Sequence, residues 1–125
     1  MRCQVKLTTT VDGKKTRVIR NGNLHITDTQ SSVSYNEENA MVSVTVQDKQ
    51  VTLERKGDYS LFLPLQKGKT LDGTLGLGDN AGAIQVHTQR IGYSILDKKL
   101  MLNLKYTLII GEPQEMQVKI EALGE

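Results

Sequence analysis

From Leu100 to Ile110 every second residue is apolar: Leu100, Leu102, Leu104, Tyr106, Leu108 and Ile110. Successive side chains of a strand point to opposite faces, so alternation sustained this long specifies a β-strand with one buried face. The same period of two runs through Val5, Leu7 and Val11, and again through Val42, Val44 and Val46. No helical i, i+3, i+4, i+7 pattern persists for three turns, although Asn36 to Met41 has the composition for a single turn. The chain is therefore expected to be all-β.

Turn residues then decide which strands meet, because residues that face each other across a hairpin must share a face. Asp12-Gly13, read as a two-residue loop, sets Leu7 opposite Val18 and Val5 opposite Arg20. A three-residue loop at Asn21-Gly22-Asn23 places Arg20 against Leu24, and a loop from Asp28 to Ser31 places Leu24 against Tyr35 and Ile26 against Val33. Asp48-Lys49 brings Val46 to Val51, and Asp97-Lys98 brings Ile95 to Leu100. A loop from Gly111 to Glu115 pairs Ile110 with Met116. The glycine-rich GTLGLGDNAGA, Gly73 to Ala83, reads as one more hairpin, with Asp79 to Gly82 as its loop and Leu77 facing Ile84. A phosphate cradle needs a helix N-terminus behind its glycines, and the AIQVHTQRI that follows reads as a strand.

Ten or eleven short strands joined by tight hairpins describe an antiparallel up-and-down meander, which removes its exposed edges by closing into a barrel. Eleven strands in strict alternation would leave the first and last parallel. The 125 residues suit one barrel domain spanning 1–125. With no Trp and one Phe, its core is expected to be Val, Leu, Ile and Met, with Tyr35, Tyr59, Tyr93 and Tyr106 at the edges.

Sixteen basic against fourteen acidic residues, without a long basic run, read as a solvated surface and not as the basic footprint of nucleic-acid binding, so no nucleic-acid partner is expected. No apolar stretch approaches a membrane span, and the N-terminal MRCQVKLTTT lacks a signal-peptide core, so the expected location is cytoplasmic. His25 and His87 fall on the outward phase without metal-ligand spacing, and Cys3 falls on the inward phase with Val5 and Leu7. With no nucleophile elbow or paired acid and base, the sequence predicts no catalytic residue, metal or cofactor. The polar exceptions to the inward pattern are Arg20 and Arg55, which the hairpin register brings toward Tyr35 and Glu37 at one barrel end. An isolated buried cation is costly, so each arginine must be paired, solvated or bound to an anion.

The segments KLTTTVDGK, VTLERKGDYS, QVHTQRI and LNLKYTLIIG, in this order and spacing over nearly the whole chain, resemble the YwiB-like family of small bacterial calycin-type β-barrels. The resemblance implies a lipocalin-like closed barrel and brings no activity, cofactor or catalytic residue with it. Two functional expectations follow from the residues. In the first, the barrel mouth binds a small amphipathic anion, with Arg20, Arg55 and Tyr35 orienting the head and small inward residues such as Thr88 leaving room in the interior. In the second, the barrel holds no ligand and acts through its outer face, as a monomer or through a homodimer surface that includes Ile19, Met101 and Ile109.

Overall fold

The computed structural model describes all of residues 1–125. It contains ten strands: β1 Arg2–Val11, β2 Lys14–Ile26, β3 Gln30–Glu37, β4 Ala40–Gln47, β5 Gln50–Gly57, β6 Tyr59–Gln66, β7 Thr70–Leu77, β8 Asn80–Leu96, β9 Lys99–Ile110 and β10 Glu112–Gly124. Each pairs antiparallel with the next, and β1 pairs antiparallel with β10, so the sheet is a closed barrel. An even strand count makes this closure possible without a parallel pair. There is no helix, and hence none long and apolar enough to cross a membrane.

Several hairpins have the register the turn chemistry predicts. Asp12 and Gly13 both have positive φ, and across them Leu7 faces Val18 and Val5 faces Arg20. Positive φ at both tip residues is the geometry whose twist matches the flanking strands. Asp48 and Asp97 also occupy the left-handed region, with Val46 facing Val51 and Ile95 facing Leu100.

Four expected turn details are corrected. The Asn21-Gly22-Asn23 loop does not form: β2 runs through it, its residues 14–23 lying along β1 and its residues 22–26 along β3. Gly22 is a point of close approach, because a Cβ there would run into the Ser34 carbonyl oxygen and crowd Val5. The β2–β3 turn is shorter than expected, with Ile26 facing Ser31 and Leu24 facing Val33, since Thr27 and Gln30 bond each other through both backbone and hydroxyl. In the glycine-rich hairpin Leu77 faces Asn80, with left-handed Gly78 in the turn, and Ile84 falls opposite Gly73. The β9–β10 turn tightens around Gly111, also left-handed, so that Met116 faces Tyr106. Each shift is an even number of residues, so no side chain changes face.

The inward faces form one apolar core of 22 buried residues, in which Val5, Val33, Val51, Leu65, Val86, Leu102 and Ala122 have no exposure. β6 and β7 pair only from Tyr59–Leu77 to Phe62–Thr74, after which the chain turns toward β8. There the Gly68 amide donates to the Thr88 carbonyl at 2.8 Å and the Thr88 amide donates to the Lys69 carbonyl at 3.1 Å. A bulge between Thr88 and Arg90 then bends β8 across that end of the barrel, where the Tyr93 hydroxyl donates to Ser31 Oγ at 2.8 Å.

Candidate functional site

The barrel end carrying the β3–β4, β5–β6, β7–β8 and β9–β10 turns is organised by Arg55. Its register partner on β4 is Val42, which faces Tyr35 on β3, so the three share an inward face. Two residues beyond Tyr35, Glu37 reaches back toward the guanidinium, and the β5–β6 turn supplies Asp58 and Tyr59. Arg55 Nη2 lies 2.8 Å from Asp58 Oδ1, its Nη1 donates to the Tyr59 carbonyl at 2.8 Å, and its Nε lies 3.5 Å from Glu37 Oε2. The Tyr59 ring covers the guanidinium, with Cζ 3.7 Å from the ring centroid. The Glu37 contact is an ion pair without hydrogen-bond geometry, and it leaves buried Nε with no hydrogen-bond partner. Burial acts to lower the Arg55 pKa, but the hydrogen bond it donates to Asp58 and the charges of Tyr59 and Asp58 outweigh it and hold the pKa above its ordinary value. A buried cation is thus neutralised by the chain itself.

The hydrogen bond from Arg55, and then its charge, hold the Asp58 carboxyl below the usual 3.8, against the opposing effect of burial. A depressed folded-state pKa contributes stability above the unfolded value, and that stability is lost as pH falls through the folded one. Thermal melts from pH 7 to below about 4 should therefore show wild type losing stability on acidification by more than Asp58→Asn, which lacks the titrating group. Equal losses for the two proteins would mean that the pair contributes nothing to the fold.

The other residues expected at this mouth are placed differently. Arg20 is solvent-exposed opposite Val5, beyond the last β2–β3 pair at Gly22 and Tyr35, and makes no ion pair. Its expected position against Leu24 is excluded by the continuity of β2. Tyr35 is buried, and burial, followed by the charge of Glu37 and the Tyr106 phenol, raises its hydroxyl pKa well above the ordinary value while Arg20 opposes the rise. Burial pushes Tyr106 up to about 12. Thr88 is fully buried beneath the β6–β7 turn, at the other end of β6 from Asp58, with its hydroxyl unpartnered. The structure therefore unites Arg55, Glu37 and Tyr35 but leaves Thr88 apart and Arg20 on the rim.

Cys3 is buried, and burial raises its thiol pKa. His25 is exposed, and His87 Nδ1 lies 2.8 Å from Thr70 Oγ1. No three His, Cys, Asp or Glu side chains cluster as a metal site. Ile19 and Met101 lie in one outward row, but Lys6 and Glu121 stand between them and break any apolar patch.

A groove of about 460 Å³ lies on the outer face across β2, β1, β10, β9 and β8. Its cations, Lys15, Arg90, Lys105 and Lys119, are dispersed in sequence and come together through barrel closure. The usable signal is the order of strands around the ring, combined with the outward phase of each.

Residues 3–121 match the model of a family described as a domain of unknown function, DUF1934. Among solved structures, the chain is similar to the crystal structure of the ywiB protein from Bacillus subtilis, with a TM-score of 0.79 at 14% identity over 99% of this chain and 92% of that one. At that identity the likeness is one of fold, and it agrees with the YwiB-like resemblance of the sequence. None of the curated proteins compared matches the chain.

Proposed function

We propose, for a chain that belongs to the DUF1934 family of domains of unknown function, that it is a non-catalytic binding barrel whose working surface is the outside of the sheet. The observation that carries this reading is the state of Arg55. A mouth that binds an anionic head needs a cation free to meet it, and this one is already held by Asp58, the Tyr59 carbonyl, the Tyr59 ring and Glu37. An incoming carboxylate or phosphate would have to displace Asp58 and approach Glu37, a repulsion no nearby unpaired cation inside the barrel offsets. The interior behind Arg55 is lined by fully buried Leu63, Leu65, Leu100 and Leu102, which fill the space a carbon chain would need.

Native mass spectrometry of gently purified protein tests this against the mouth-binding reading. The expected spectrum shows the bare chain, as monomer or homodimer. A stoichiometric amphiphile that is lost on denaturation would overturn the outer-surface reading and return attention to Arg55 and Tyr35.

A further inference from the structure

Resting on that reading, we infer that the outer face of β2, β1, β10, β9 and β8 binds a linear chain of phosphates. Pairing across the five strands aligns Lys15, Thr10, Gln117, Lys105 and Arg90 in one outward row. The adjacent row is Arg17, Thr8, Lys119, Asn103 and Gly92. These rows hold five of the protein's sixteen basic residues and none of its fourteen acidic ones. Lys15, Arg17, Arg90 and Lys105 make no ion pair, and Lys119 meets only Glu121, at 3.3 Å from the neighbouring row. A protein of net charge +2 thus carries a concentrated positive band.

The shape of the band selects its occupant. Four interstrand gaps make it about 19 Å long, while two outward rows make it only about 7 Å wide. Asp12 and Glu115, joined by a 3.1 Å hydrogen bond, lie along one side, and Glu121, beside Lys6 and paired with Lys119 and Lys99, lies along the other. The band follows five of the ten strands around a closed barrel, a curve that a thin chain can track and a flat surface such as a bilayer cannot. Thr8, Thr10, Asn103 and Gln117 add neutral donors for phosphoryl oxygens between the cations. Gly92 leaves one end of the second row without a side chain. Neither row contains an aromatic residue, so nothing in them stacks on a base, and recognition falls on the phosphates. Polyphosphate and the sugar–phosphate backbone of a single strand both present this chemistry.

Fluorescence anisotropy with labelled polyphosphate, a uridine oligonucleotide and phosphatidylglycerol vesicles tests the assignment. Polyphosphate should bind, and five neutralised phosphates imply that affinity falls about 100-fold between about 50 and 200 mM salt. Oligonucleotide binding alongside it would identify a backbone as an accepted source, and its absence a free phosphate chain; both support the inference. The double variant Lys105→Glu, Arg90→Glu should weaken polyphosphate binding at least about 10-fold at low salt. Lys49→Glu with Lys67→Glu, the same change in net charge on exposed turn residues outside the band, should leave it nearly intact. Failure of polyphosphate to bind, binding to oligonucleotide or vesicles alone, or equal loss in both double variants would overturn the inference. If the native mass is bare, such a failure leaves the outer-surface reading standing; an internal amphiphile would remove that reading itself.

Discussion

Leu102→Ala is expected to destabilise the protein by about 2–5 kcal/mol, seen in urea as a midpoint lowered by about 1–2 M with little change in slope. Leu102 is on β9 between Tyr93 of β8 and Ile120 of β10, with no solvent exposure. The wide range reflects how far neighbours relax. Part of the cost is the lost transfer of the removed atoms from water. The more variable part is the cavity left when opposing side chains cannot close the space. Barrel closure limits that relaxation, since β9 is pinned by hydrogen bonds on both edges. The experiment therefore also reports on the interior. In a hollow barrel the truncated side chain would have faced open space, no new void would form, and the loss would stay near the roughly 1 kcal/mol average of point substitutions. A loss that small would contradict the packed interior on which the outer-surface reading rests. Leu65, unexposed on β6, provides an independent repeat on another part of the wall.

What the sequence makes legible here follows from the period of two. Leu77 faces Asn80 in place of Ile84, and Leu24 faces Val33 in place of Tyr35, yet the slips are even, so the phase holds. Val5, Leu7, Val42, Val44, Val46, Leu100, Leu102, Leu104, Tyr106 and Leu108 are buried as alternation predicts, while Ile110, at the end of β9, and Arg20, beyond the last β2–β3 pair, are exposed. Arg55 and Glu37 are legible together for the same reason: the Tyr35–Val42 and Val42–Arg55 pairs depend only on local turns. Arg20 is not, because its neighbourhood depends on where β2 stops following β1 and starts following β3, which is a matter of barrel stagger and not of a turn. The basic band is further from view. Lys15 and Arg90 lie in one row only because β1 pairs with β10, the contact between the two ends of the chain, and hairpin-by-hairpin reading never compares those residues. Linear charge patterning registers runs of lysine, while a barrel assembles its charge across strands.

Gly22→Ala separates the two meanings of a glycine. In an open loop that kept Gly22 off positive φ, as it is here, alanine would restrict the unfolded chain and stabilise the protein by about 0.4–1 kcal/mol. Gly22 indeed lacks positive φ, but it pairs with Cys3 on one side and Tyr35 on the other, and an added Cβ would run into the Ser34 carbonyl oxygen. Backbone cannot swing aside as a flexible side chain can, so β2 would have to part from β3 just where their pairing begins. The expected result is a loss of about 1–3 kcal/mol, the usual cost of overpacking a well-filled site. The two readings thus predict opposite signs for one methyl group, measurable by the same urea titration. A stabilised variant would restore the loop, shorten β2 and bring Arg20 back toward Leu24. A destabilised one fixes β2 as the strand that serves both neighbours, following β1 through Asn23 and β3 from Gly22.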